Sequence, residues 1–520
     1  MTEPRPHTRP SPPISAASPV SRRQFLGAAG GATAALALAA CGGGGPTKSA
    51  RPATSTDAAH VTPPPFHSRP DLIPPSIVVA TKPRDPGTDA YVFTDAHGGH
   101  GQQGPMIIDR AGKLVWFQAV SDDGSIAARV MNLRVQRYRG QPVLSYWTGG
   151  LVASHGAGHY VILDEHYREI ATVQAGDGLQ GDLHEFNITP QGTALLTAYG
   201  QANGRIPDPG GQGWRHGDYF YCCAQEVDIA TGKLLLQWRS DDHVPFSASH
   251  RLPTPKQRAT PWDYFHMNSI TVDPSDGNLI VSGRNTWSVY KVNRQTGKTM
   301  WTLGGEEGEF HIGRGAHFAF QHHVTPHGNG IYTVFDNEAG PPAVAKQSRG
   351  LVLAVDERRR RVKLVRAYHH RPRVLSEALG SVQPLHDDHM FIGWGDSSYF
   401  TEWDAHGRVV LDAHLSGGVL SYRAFLQPWR GVPAQPPDIV VVGQGAQATL
   451  YASWNGATVH RHWRVLGGSD AQHLAPLATA RVTGFETAVP LSSVPAWVSV
   501  EALDARGVVV SRTDPAPVQT

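Results

Sequence analysis

One tight turn recurs along this chain, and its spacing constrains the fold more than any other feature. An Asp or Asn, a few residues, then Gly and/or Lys/Arg opens onto an apolar run at 109-DRAGKLVWF-117, 164-DEHYREIATV-173, 228-DIATGKLLLQW-238, 293-NRQTGKTMW-301, 356-DERRRRVKLVRAY-368 and 404-DAHGRVVLDAHL-415. The first residues of successive copies lie 48 to 65 positions apart, room for four short strands and a loop. Upstream of most copies sits a run such as Gly192–Leu196, Gly277–Val281 or Gly330–Val334, which fits the second strand of such a unit. Self-similarity at a fixed period marks a repeat architecture, and radial packing of four-stranded units leaves only short, protected sheet edges. The expectation is an all-β chain built on a six-bladed β-propeller over residues 76–430.

Composition agrees. The chain carries 56 Gly and 40 Pro among its 520 residues, and long amphipathic helical patterns are missing, which suits many turns and short strands. After a Pro-rich hinge at 433–437 come five alternating runs, 438–442, 447–454, 459–466, 480–486 and 497–503. They point to a small immunoglobulin-like β-sandwich over 431–520. With 46 basic and 44 acidic residues, the chain has no nucleic-acid footprint.

The first forty residues read as an address. Ser21-Arg22-Arg23-Gln24-Phe25-Leu26 precedes a Gly/Ala run ending Leu38-Ala39-Ala40-Cys41. That pattern reads as a twin-arginine signal (1–40) whose run is too short for a confident membrane span, followed by a lipobox cysteine. The expected outcome is export and membrane anchoring through lipid on Cys41, at the outer face of the cytoplasmic membrane, with 41–75 as a flexible tether. A plain signal peptide with a chance cysteine is the alternative. The other two cysteines, Cys222 and Cys223, are adjacent, so they form either a strained vicinal disulfide or, the favoured reading, two small buried thiols.

The chemistry sits where innermost strands of a propeller would face its axis. Three consecutive units place a histidine there: His184 in 182-DLHEFNITP-190, His266 in 264-YFHMNSITVDP-274 and His322 in 320-FQHHVTPHG-328. A spacing of two puts His266 and Asn268 on one strand face, and the next strand brings Arg284 back toward the same end. A lone buried histidine is usually structural, and the His386–His389 loop is read as no metal clip. Coincident position in three adjacent units is what marks His184, His266, His322, Asn268 and Arg284 as a site. His322 and His323 are neighbours on a strand and point oppositely, and His322 is chosen as the axial one. Tyr264, Trp287, Phe320 and Trp394 are candidate walls of an aryl pocket.

These residues also carry a resemblance. The segments 184-HEFN-187, 266-HMNSI-270 with Ser282-Gly283-Arg284, 321-QHH-323 followed by 335-FDN-337, and 301-WTLGG-305 resemble bacterial arylsulfate sulfotransferases. The tail, with 451-YASWNGA-457 and 485-FET-487, resembles the C-terminal part of one branch of that family. The resemblance implies a ping-pong reaction in which an aryl sulfate gives its sulfuryl group to a histidine, which passes it to a phenol. His322 is then the nucleophile. His266, Asn268 and Arg284 bind sulfuryl oxygens, His184 contacts the sulfuryl group or moves a proton, and Tyr264 and His323 join the substrate-binding set. No metal and no cofactor are implied, and the chain has no Gly-rich loop of the kind that cradles a nucleotide sulfate donor. The better-known members carry their sandwich N-terminally and a disulfide between separated cysteines, and this chain departs from both. Two rival readings stay open: a surface propeller that binds a ligand without turnover, and a metal- or quinone-dependent propeller enzyme.

Overall fold

The structure is a computed structural model that describes residues 66–84, 90–120, 129–209, 211–254, 260–340 and 342–518. The signal segment and Cys41 lie outside the described residues. Among the described residues the regular structure is almost wholly β-strand, paired antiparallel apart from two short parallel ladders. Of the stretch read as tether, residues 66–75 are docked rather than loose. Ser68 donates to Glu486 Oε1 from its main-chain N–H at 2.7 Å and its hydroxyl at 2.6 Å, and the Phe66 and Phe485 rings lie 4.4 Å apart.

Six four-stranded arrays fill residues 77–428. Five are meanders of consecutive strands that begin at Arg129–Tyr138, Gly181–Ile188, Met267–Val272, His322–Pro326 and Ser381–Pro384. The sixth joins the two ends of the region: Ala424–Pro428 supplies its first strand, and Ala90–Ala96, Gly104–Ile108 and Leu114–Phe117 supply the rest. Each array's first strand touches the first strand of the next, and the cycle closes, so these strands ring a common axis. Ile77–Thr81 adds an outer strand to the array that starts at Ser381.

The repeated turn joins the third and fourth strands of every array. Its leading carboxylate or carboxamide accepts main-chain N–H groups two to four residues on: Ala111 and Lys113 on Asp109, His166 and Arg168 on Asp164, Thr231 on Asp228. Asn293, Asp356 and Asp404 repeat the pattern with Thr296, Arg359 and His406. The local physics of an Asx turn therefore explains the repeat.

Beyond residue 430, a three-stranded sheet (Asp438–Val442, Thr449–Ser453, Glu486–Pro490) and a five-stranded one (including His462–Gly468, Leu474–Arg481 and Trp497–Leu503) share one apolar core around Leu450, Trp463, Val465 and Val500. This unit is tied to the outermost strand Leu114–Phe117. Asn455 copies a strand partner there, accepting from Phe117 N–H at 3.0 Å and donating to Phe117 C=O at 2.9 Å, and Gly456 N–H donates to Val115 C=O at 2.8 Å. Gly456 has φ +98°, and a Cβ there would meet the Tyr167 ring at 2.6 Å, so both conformation and space require glycine.

A candidate oxyanion site on the axis

His184 lies within the strand Gly181–Ile188, His322 opens His322–Pro326, and His266 precedes Met267–Val272 by one residue with φ +56°. A left-handed backbone is costly for a residue with a Cβ, and such strain gathers at functional sites. The three imidazoles are fully buried, and one ring nitrogen of each lies within 4.8 Å of the others. The His184 and His266 rings meet edge to face at 4.8 Å.

Their other nitrogens are held differently. His184 Nδ1–H donates to Asp182 Oδ2 at 2.7 Å, and His266 Nδ1–H donates to Asp263 Oδ2 at 2.5 Å. Burial would raise Asp182, but the His184 imidazole, with His155 and the Gly156 amide, holds it below the usual carboxylate range. Burial acts the same way on Asp263, and the His266 ring and the Ser154 hydroxyl carry it well below that range. Each of these histidines thus faces a carboxylate held in its ionised form.

His322 has none. Its Nδ1 lies 2.7 Å from Asn337 Oδ1, while Asn337 Nδ2 donates to the carbonyls of Ser376 and Leu379 at 3.0 and 3.1 Å. The carboxamide must therefore present its oxygen to the ring, which fixes the proton on Nδ1 and leaves a lone pair on Nε2. Leu379 N–H points at that lone pair from 3.2 Å. Burial, then the charge of Arg284, push the His322 imidazole well below its usual pKa, and the Asn337 bond opposes them only in part. One histidine is kept neutral beside two whose Nδ1–H groups face carboxylates.

Arg284 is buried just after the strand Leu279–Gly283 and donates to Asn285 Oδ1 at 3.0 Å and Glu377 C=O at 2.8 Å. Its guanidinium covers the Phe320 ring at 4.9 Å. Phe320 meets Trp287 edge-on at 5.1 Å, and half-buried Trp287 stacks on His250 at 3.6 Å. Of the four aromatic residues singled out above, Trp287 and Phe320 adjoin the cation. Tyr264 packs in the core against Phe246 and Trp262, and Trp394 against Phe335 and Trp403.

Asn268 donates its amide to Gln321 C=O at 2.6 Å, and its Oδ1 is buried without a partner among the described residues. Gln321 anchors the motif it begins: its Nε2 donates to Ser282 Oγ, Gly283 C=O and Ser288 C=O, locking the His322 strand to its neighbour. His323 is turned elsewhere, with Nδ1 accepting from Val382 N–H at 3.2 Å. Burial, then Arg423 and Arg134, push it well below its usual pKa.

Several further residues take part. Asp182 and Asp263 are two and three residues before their histidines, a D-x-H and D-x-x-H spacing that could have flagged them. The hairpin tip Ser154-His155-Gly156 touches both carboxylates, Ser154 Oγ donating to Asp263 at 2.6 Å and Gly156 N–H to Asp182 at 2.7 Å. His155 stacks on Tyr199 at 4.4 Å. Buried Glu185 lies between Arg134 (2.7 Å) and Arg423 (3.1 Å), and Arg423 reaches on to Asn268 C=O at 3.1 Å. That triad links four arrays across the axis, and no local pattern announces it. The vicinal cysteines are separate buried thiols, with Cys222 Sγ accepting from Met267 N–H at 3.4 Å.

Fold and site together define a β-propeller protein whose axis carries converging imidazoles beside a guanidinium, a constellation suited to a small oxyanion. The chain belongs to the arylsulfotransferase (ASST) family, whose model matches residues 134–416, more than half its length. No curated protein is matched. The solved structures it is similar to are remote. A Bacteroides caccae protein of unknown function is 13% identical over 65% of this chain and 99% of that one, with a TM-score of 0.39. A streptogramin B lyase is 11% identical over 67% and 98%, with a TM-score of 0.32. The periplasmic gluconolactonase of Pseudomonas aeruginosa is 11% identical over 65% and 99%, with a TM-score of 0.33.

Proposed function

We propose that the protein moves a sulfuryl group from an aryl sulfate to a phenol through a sulfohistidine on His322. The observation that carries this reading is the unequal setting of the three histidines: a neutral imidazole with its lone pair on Nε2, beside two imidazoles backed by ionised aspartates. Environments that push like groups apart assign acid and nucleophile roles.

In the first half-reaction His322 Nε2 attacks sulfur, the S–O(aryl) bond breaks, and its electron pair leaves on the phenolate oxygen. His266 or His184, protonated on Nε2, gives that oxygen its proton. Asp263 is the more exposed partner, 16% against 0% for Asp182, so the His266 pair is the better placed to exchange protons with solvent. Arg284 stabilises charge spread over the sulfuryl oxygens, as fixed donors do in the analogous phosphoryl transfer. Half-buried Trp287, beside Phe320 and the cation, is the aromatic side chain placed to meet the aryl ring. In the second half-reaction the same histidine takes the proton of the acceptor phenol, whose oxygen attacks sulfur and frees His322. No cofactor enters this balance.

The proposal includes export by the twin-arginine route and anchoring through Cys41, supported by the Arg22-Arg23 and Leu38–Cys41 motifs. A Cys41→Ala chain should leave the membrane fraction. For the reaction, the full-length protein should release 4-nitrophenol from 4-nitrophenyl sulfate in a phenol-dependent manner and form phenyl sulfate. Failure across a panel of aryl sulfates would favour a propeller that binds ligand without turnover.

A further inference from the structure

We infer that the three axial histidines form a binding site for one divalent transition-metal ion of the zinc class, and that this ion shuts the site by taking the nucleophile's lone pair. The inhibitory half of this inference rests on the sulfohistidine reading; the binding half does not.

Three observations point to a metal as well as to an oxyanion. One nitrogen from each of His184, His266 and His322 lies within 4.8 Å of the others, and Asp182, Asp263 and Asn337 orient the three rings through their Nδ1 atoms. Two of the three rings donate Nδ1–H to a carboxylate, the arrangement that orients metal-bound histidines and raises their basicity. His266 Nε2 is fully buried and has no hydrogen-bond partner among the described residues.

The donor set selects the ion. Three imidazoles suit Zn²⁺, Co²⁺, Ni²⁺ or Cu²⁺ and offer nothing to Mg²⁺ or Ca²⁺, which want oxygen. Tetrahedral zinc at about 2.0–2.1 Å from each nitrogen spaces its ligands roughly 3.4 Å apart, so the rings close inward by about an ångström as the ion enters. Leu379 N–H gives up His322 Nε2 in that step, and any proton on His184 or His266 Nε2 is released. Asp182 and Asp263 offset the charge of the ion, while Arg284, the nearest cation, opposes it. A fourth position stays open for water.

The test uses the full chain freed of metal by chelator and titrated with Co²⁺ alone, without substrate. The expected result is a single tetrahedral Co²⁺ spectrum at one equivalent, displaced by Zn²⁺, lost in both His184→Ala and His266→Ala, and weakened about 10–100-fold in Asp263→Asn. In parallel, Zn²⁺ should inhibit aryl sulfate turnover competitively with the donor, reversed by chelator. No tetrahedral spectrum, or one that survives both histidine variants, would overturn the site. Metal binding in a protein with no turnover would leave the site standing and remove the sulfotransferase reading; turnover indifferent to zinc, with the Co²⁺ spectrum present, would overturn the inhibition.

Discussion

At the scale of single residues, what each axial histidine leans against sets its part in the chemistry. Asp263→Asn keeps an oxygen to accept from His266 and Ser154 but removes the counter-ion. It should lower kcat/KM by about 10²–10⁴, the range of a lost general acid. The loss should be larger for phenyl sulfate than for 4-nitrophenyl sulfate, whose leaving group needs less help; equal losses would make Asp263 merely structural. Arg284→Lys keeps the charge and loses the planar fork that spans Asn285 and Glu377, so turnover should fall by about 10²–10³. The chain announced these positions unevenly. Three histidines at matching places in successive units, with Asn268 and Arg284 beside one of them, were legible. Which nitrogen of His322 carries the proton depends on Asn337, fifteen positions away, and on two carbonyls beyond it, contacts that no spacing encodes.

At the scale of elements, the repeat was readable because an Asx turn is a local device. Its carboxylate and the amides it accepts lie within four residues, so all six copies keep the signature. The same device serves outside the ring: Asp504 accepts from Arg506 and Val508 N–H between two strands of the C-terminal unit. The turn therefore identifies hairpins, and only its spacing identifies a blade. Strand ends in the tail were less legible. The run 480–486 was expected to be one strand, yet Leu474–Arg481 and Glu486–Pro490 flank it in different sheets, because the chain crosses between layers there. Two element-scale predictions follow from cross-chain ties. Glu185→Ala leaves Arg134 and Arg423 buried without their shared carboxylate and should cost about 3–5 kcal/mol in denaturant unfolding. Asn455→Ala breaks both bonds to Phe117 and should expose the junction to proteolysis while leaving turnover unchanged.

At the scale of the whole molecule, the closed ring explains how residues from four arrays meet at one place. First strands converge on the axis, so a short list of inward side chains becomes a site without any of them being close in sequence. Burial also keeps histidines neutral, both on the axis and in the C-terminal unit. Burial, then the Arg461 charge, push the His460 imidazole down to about 4, and burial drives His322 and His323 well below the usual value. Below about pH 6.5 the unfolded chain binds protons that the folded chain refuses, so stability present at neutral pH is lost as pH falls toward about 4, by about 3 kcal/mol from His460 alone. Urea unfolding midpoints between pH 7.5 and 4.5 should fall steadily; a midpoint flat over that range would contradict the buried neutral state.

The central claim is that His322 alone among the axial histidines receives the sulfuryl group. The most direct measurement is intact mass after mixing the full-length protein with 4-nitrophenyl sulfate and no acceptor, followed by peptide mapping at alkaline pH. The account predicts one added sulfuryl group on the peptide holding His322, discharged by phenol and absent in His322→Ala. A sulfuryl group on His184 or His266 instead, or steady turnover with no modified peptide in the His322→Ala protein, would contradict it.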